Sequence, residues 1–223
     1  MPTYEELGFG RGAALTGDRA RSIFGQVMGL VAVTMGFAAL GAYIARHQTG
    51  GFGFVFFILA FACIFGLNAA ASRGREQLAM VLLFAMGLLL GMFVAPILYY
   101  YAHTNPGVVY QAAGATGLFV AIMGAIGYTT QRDLAPLARA LLIPFIIVLV
   151  FGLVAVFVAI PASNIIYCVA MLAIFAVFTA FDFQRLARAG DHTSAVPIAA
   201  SIFLDIFNVF LLLLSLLGGG SRR

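Results

Sequence analysis

Seven stretches of this chain, near 22–45, 53–72, 77–101, 108–128, 139–160, 163–185 and 195–217, are apolar for close to twenty residues each. About twenty such residues in a helix cross a hydrocarbon core of roughly 30 Å. The breaks between them carry turn or charge signals: His47-Gln48-Thr49-Gly50-Gly51, Ser72-Arg73-Gly74-Arg75-Glu76, His103-Thr104-Asn105-Pro106-Gly107, Gln131-Arg132-Asp133, Pro161-Ala162-Ser163 and Arg188-Ala189-Gly190-Asp191-His192. The pattern predicts an all-α integral membrane protein with seven transmembrane helices and no soluble domain. A hydrophobic content of 63% against 9% charged residues, with a mean hydropathy of +1.08, fits no soluble class.

The expected organisation is a polar tail over 1–21, a seven-helix domain over 22–217 and a short end over 218–223. Glu5, Glu6, Arg11, Asp18, Arg19 and Arg21 make the tail too polar to cross. It is not expected to be a cleaved signal, because the apolar run after it is of spanning length and opens a polytopic pattern. Arginines set orientation. Arg11, Arg19, Arg21, Arg73, Arg75, Arg132, Arg139, Arg185 and Arg188 fall on one side, and Arg46, Arg222 and Arg223 on the other. The expected placement is the inner or plasma membrane, amino terminus cytoplasmic and carboxyl terminus outside. The formal charge of +4 then reflects topology and anionic lipid rather than nucleic acid. Tyr99, Tyr100 and Tyr101 can anchor one interface.

Several chemistries are excluded. The chain has no lysine, so a retinal Schiff base cannot form. It lacks G-x-S-x-G, H-E-x-x-H and the phosphate-binding G-x-x-x-x-G-K-[ST]. His47, His103 and His192 fall in different connections, and Cys63 and Cys168 within spans, so neither a metal centre nor a disulfide is expected. No enzyme activity, cofactor or small-molecule ligand is predicted.

Two acids stand at membrane depth: Asp182, in Phe178-Thr179-Ala180-Phe181-Asp182-Phe183-Gln184-Arg185, and Asp205, in Ser201-Ile202-Phe203-Leu204-Asp205-Ile206-Phe207-Asn208. Ionisable groups there are costly and belong by default to an ion or proton pathway. Ser201, Asp205 and Asn208 follow at i, i+4 and i+7 and share one helix face. Counting about 1.5 Å per residue, Asp205 lies about 12 Å below its helix start near Pro197, and Asp182 about 9 Å below an end at Arg188. The two are then nearly level. If the sixth helix stops at Arg185, the offset grows to about 8 Å and contact fails. The plainer alternative for Asp182 is a bridge to Arg185 at i+3, worth about 0.3–0.5 kcal/mol on a surface.

The run Leu204-Asp205-Ile206-Phe207-Asn208-Val209-Phe210, the leucine-rich tail to Gly218, and Phe181-Asp182-Phe183-Gln184 before it resemble the transmembrane Bax inhibitor motif family. The basic second connection and Tyr128-Thr129 ahead of Asp133 extend the resemblance over nearly the whole chain. It implies a fold whose last helix is wrapped by the other six, and a pH-sensitive calcium leak governed by an acidic pair mapping onto Asp182 and Asp205. It also implies a latch to Asp182 from the second helix, Arg73 by alignment through Gly91 and Pro96, with Arg75 as substitute because Gly74 and Glu76 interrupt the basic run.

Two carboxylates within hydrogen-bond reach cannot both ionise cheaply and titrate as a unit. A guanidinium at Asp182 favours its anion, so protonation loosens that tie and provides a two-state element. Calcium takes six to eight oxygens; Asp182 and Asp205 with Asn208, Ser201 and backbone carbonyls make a weak, transient site suited to passage. Calcium and protons are the expected ions, and the protein a monomer in lipid. Two rivals remain. A non-catalytic regulator of a protease or stress pathway would bind a membrane-protein partner through glycines such as Gly114, Gly117, Gly124 and Gly127. An intramembrane aspartyl protease would use both acids, though the chain lacks its Gly-x-Gly-Asp.

Overall fold

The computed structural model describes residues 4–48, 53–157, 163–190 and 193–219. Parts of three breaks, at 49–51, 161–162 and 191–192 with His192, lie outside the described residues, as do Arg222 and Arg223; side chains of 1–21 are likewise not described. The helices are α1 Tyr4–Ile44, α2 Gly53–Ser72, α3 Glu76–Thr104, α4 Pro106–Thr129, α5 Ala135–Ala140, α6 Leu142–Phe157, α7 Ser163–Ala187 and α8 Ala195–Gly219. There is no strand among the described residues.

Seven segments are long and apolar enough to span: Ser22–Ile44, Gly53–Ser72, Glu76–Thr104, Pro106–Thr129, Ala135–Gly152, Asn164–Ala187 and Ala195–Gly219. The first continues a helix that already begins at Tyr4 in the polar segment. The fifth begins at Ala135 rather than 139, and is broken at Leu141. Pro144 causes the break: it has no N–H for the carbonyl of Ala140, and its ring crowds that oxygen. Pro106 starts α4 at the position where a missing N–H costs nothing. Gly74, at φ 69°, makes the tight turn from α2 into α3.

Packing follows the small residues. α1 and α3 run backbone to backbone: a Cβ at Gly91 would strike the Ala38 carbonyl, and one at Gly41 the Leu88 carbonyl. α4 meets α7 in the same way, with Gly127 against the Ala180 carbonyl and Gly124 against the Phe183 ring. Gly124 and Gly127 therefore serve internal packing, whereas Gly114 and Gly117 have nothing within 4 Å of a would-be Cβ.

α8 is buried on almost every side, through Ile198, Ala199, Ala200, Ile202 and Phe203 in succession, and it packs on α1, α2, α3, α4 and α7. α6 touches α5 and α7 instead. It sets Phe145 against Phe175 and Phe178 and turns Ile143, Ile146 and Ile147 outward. A largely apolar helix can sit either in the core or at the lipid, and α8, which carries Ser201, Asp205 and Asn208 on one face, takes the core while the wholly apolar α6 takes the lipid.

Candidate functional site at the α7–α8 seam

α7 continues to Ala187, and the Arg188 amide still bonds the Gln184 carbonyl at 3.0 Å. Asp182 and Asp205, one on each helix of the seam, are 6% and 5% exposed and near enough for like charges on them to repel. Their surroundings differ. Asp182 Oδ1 accepts from Arg185 Nη1 at 2.8 Å. Asp205 Oδ2 and the hydroxyl of Thr179 face each other, yet neither completes a hydrogen bond. An unmet buried polar group costs about 1–3 kcal/mol, which a water or a proton between these atoms would relieve.

Ser201 stands beside Asp182, but its hydroxyl bonds back to the Ile198 carbonyl at 3.1 Å. Asn208 donates to the Leu204 carbonyl at 2.8 Å. It lines a separate cavity of ≈ 170 Å³ with Tyr167, Cys168, Phe175 and Ser215. Beyond it Ser215 donates to Asn164 Oδ1 at 3.1 Å. Polar groups thus recur along the α7–α8 seam, and Val209, Leu212 and Phe175 pack together in an apolar cluster beside that cavity.

Arg73 and Arg75 are both exposed, and α2 makes no contact with α7. The cation on Asp182 here is Arg185, lying on the same helix at i+3. This pairing was legible as the plain surface bridge, but its carboxylate is buried, so it is not one. Among the described residues no cluster of three or more His, Cys, Asp or Glu exists. With Arg185 on one oxygen of Asp182, a passing calcium ion would have to displace that guanidinium or find its other ligands in water.

Two residues without an assigned role complete the site. Gln184, 2% exposed, accepts from the Leu134 amide at 2.9 Å and donates to the Arg132 carbonyl at 2.6 Å and the Thr130 carbonyl at 3.3 Å. Arg188 adds bonds to the Gln131 carbonyl at 3.3 Å and the Asp133 carboxylate at 3.5 Å. The loop from α4 to α5 is thereby strapped to the helix that carries Asp182. An amide next to a charged pair at the end of an apolar run was the available signal for Gln184. Thr179, at i−3 from Asp182, had none beyond its polarity.

The family model for "Inhibitor of apoptosis-promoting Bax1" matches residues 20–222. The chain belongs to this family. An uncharacterized Helicobacter pylori protein is 32% identical over 170 residues, covering 76% of this chain and 73% of its own. An uncharacterized membrane protein of Vibrio cholerae is 29% identical over 173 residues, 77% and 72% of the two chains. The "Modulator of FtsH protease YccA" of Escherichia coli is 26% identical over 167 residues, 74% and 76%. The chain is thus a multi-pass membrane protein of the Bax-inhibitor family.

Proposed function

We propose that this Bax-inhibitor family protein is a membrane regulator that acts through lateral contact with another membrane protein. A cleft of ≈ 720 Å³ between α1 and α4 carries the reading. Phe183 and Val120 form its floor, Phe24 and Met28 one wall, and Gly117, Ala121 and Ala125 the other. α1 and α4 do not touch across it; Phe24 and Tyr128 meet edge to face at one end, ring centroids 5.8 Å apart. Small residues let a foreign helix approach closely, and Gly114 and Gly117 leave that wall bare. The name of the Escherichia coli relative, a modulator of a protease, supports a proteolytic partner.

A photo-crosslinking residue at Gly117, compared with one at Ile147 on the lipid side of α6, tests this in native membranes. A discrete adduct from Gly117 and none from Ile147 is expected; identical patterns from both would sink the idea. In this reading the protein is a monomer in the inner membrane, amino terminus in the cytoplasm, and it needs no catalytic group.

A second reading, a pH-sensitive calcium leak, is supported by the buried pair Asp182 and Asp205 and the polar seam running through Asn208 to Ser215. The packed Val209, Leu212 and Phe175 would make this conformation the shut one. Arg73 would then act as latch only in a state where α2 reaches α7. Calcium flux into proteoliposomes across a pH series, with Asp182→Asn and Asp205→Asn beside wild type, tests it. Unchanged flux in both variants would refute it.

A further inference from the structure

All eight acidic residues, Glu5, Glu6, Asp18, Glu76, Asp133, Asp182, Asp191 and Asp205, belong to the tail, to the connections on the side of the α2–α3 turn, or to the helix halves nearest them. The segments on the opposite side, 45–52, 102–106, 158–163 and 218–223, contain no Asp or Glu, and their charged or titratable cations are Arg46, His47, His103, Arg222 and Arg223. Three of these five meet in one place. The glycine contacts hold the ends of α1 and α3 together, and between them lies a cavity of ≈ 450 Å³ lined by Tyr43, Arg46, His47, Tyr99 and His103.

An arginine that merely snorkels extends its charge into the headgroup layer. Arg46 does otherwise. Its guanidinium folds over Tyr43, 3.7 Å from the ring centroid, and its Nε donates to His47 Nε2 at 3.0 Å. Accepting that bond makes His47 neutral, with its proton on Nδ1. His103 Nδ1, 2.8 Å from the Tyr99 carbonyl, must carry a proton there, since the carbonyl only accepts. His47 and His103 each pack on the Tyr99 ring, at 5.4 Å and 4.0 Å between centroids. Both terminal nitrogens of Arg46 are left without an acceptor among the described residues.

We propose that this pocket between the ends of α1 and α3 binds a phosphate-type anion, held by the free edge of Arg46 and the Nδ1–H of His47 against walls of tyrosine. A planar guanidinium offers two parallel donors to phosphate oxygens. Because the segments at that end contain no Asp or Glu, no acidic side chain competes for Arg46 and an incoming anion can neutralise it. The titratable and charged groups facing the pocket are Tyr43, Arg46 and His47 from α1 and its end, and Tyr99 and His103 from α3. The anion has two sources, a lipid phosphate headgroup or free inorganic phosphate.

The full chain in phosphatidylcholine nanodiscs containing phosphatidylglycerol tests this by native mass spectrometry, with a parallel titration of inorganic phosphate followed by phosphorus NMR. Arg46→Gln should lower retained phosphatidylglycerol, or phosphate affinity, about ten-fold, the loss of one charge-assisted contact. Arg75→Gln, at the acid-bearing end, should change neither by more than about two-fold. Arg46→Lys keeps the charge and should restore part of the binding, which separates lost binding from lost fold. Binding of phosphatidylglycerol alone identifies a headgroup site, and displacement by phosphate a free-anion site. Equal binding by wild type and Arg46→Gln in both arms would overturn the proposal.

Discussion

The α1–α3 and α7–α8 seams join membrane-spanning helices by opposite means. Between α1 and α3 the contact is backbone on backbone at Gly41, Gly87 and Gly91, and it has only one packed form, because a close-packed contact is not continuously deformable. Between α7 and α8 lie Asp182, Asp205, Thr179 and Ser201, two of whose buried oxygen atoms lack partners. That seam has alternatives: a proton, a water or an ion changes which arrangement is best. The bundle therefore combines a fixed strut with a seam that can respond, and it carries its two buried acidic groups on the responsive one.

The sharpest break of this contrast is Gly91→Val. Its side chain would collide with the Ala38 carbonyl, so we expect more than about 3 kcal/mol of destabilisation or failure to accumulate folded protein. The control Gly117→Val, which meets empty space, should stay within about 0.5 kcal/mol in thermal melts in detergent. Next comes Gln184→Leu, which leaves the Leu134 amide and the Arg132 and Thr130 carbonyls without their partner. A loss of about 2 kcal/mol is expected, with faster hydrogen exchange confined to 130–134; uniform acceleration across the chain would mean the strap is not local.

Asp205→Asn removes the repulsion between carboxylates while keeping the shape. That repulsion exists only when both are ionised, so the variant should gain about 1 kcal/mol over wild type at high pH and lose that gain as pH falls. Equal melting curves for the two at every pH would show that the pair is not coupled. Arg185→Gln should cost about 1 kcal/mol, between the limits for exposed and buried pairs, because the guanidinium is 41% exposed and the carboxylate 9%. The smallest effect belongs to Arg73→Ala, within about 0.5 kcal/mol, as expected for an exposed side chain. A larger cost would indicate that α2 and α7 meet in solution.

The unequal fate of the acids explains how far the sequence could be read. Asp205 stood out because a carboxylate flanked by Leu204 and Ile206 has no cheap explanation in an apolar helix. Asp182 was ambiguous by its place near a helix end: three residues more or fewer of α7 decided between a buried pair and a surface bridge. Arg73 and Arg185 were both legible as cations able to reach Asp182, and only the absence of an α2–α7 contact separated them. Gln184 carried a local signal but not the identity of its partners, and the anion pocket carried none, since hydrogen bonds spanning 50 residues or more and a meeting of α1 with α3 depend on which helices become neighbours.

The sequence by itself determined the number of crossings, the membrane as solvent, the family and the place of Asp205 inside an apolar helix, because hydrophobic length and helical rise are local properties that the bilayer reads directly. The tertiary structure alone decided that α8 is central and α6 peripheral, that α2 stays away from α7, and that Arg46, His47 and His103 share a pocket. Those outcomes rest on close approach between helices, which in lipid is set by the fit of small residues against backbone and not by hydrophobicity, and fit exists only between surfaces already brought together.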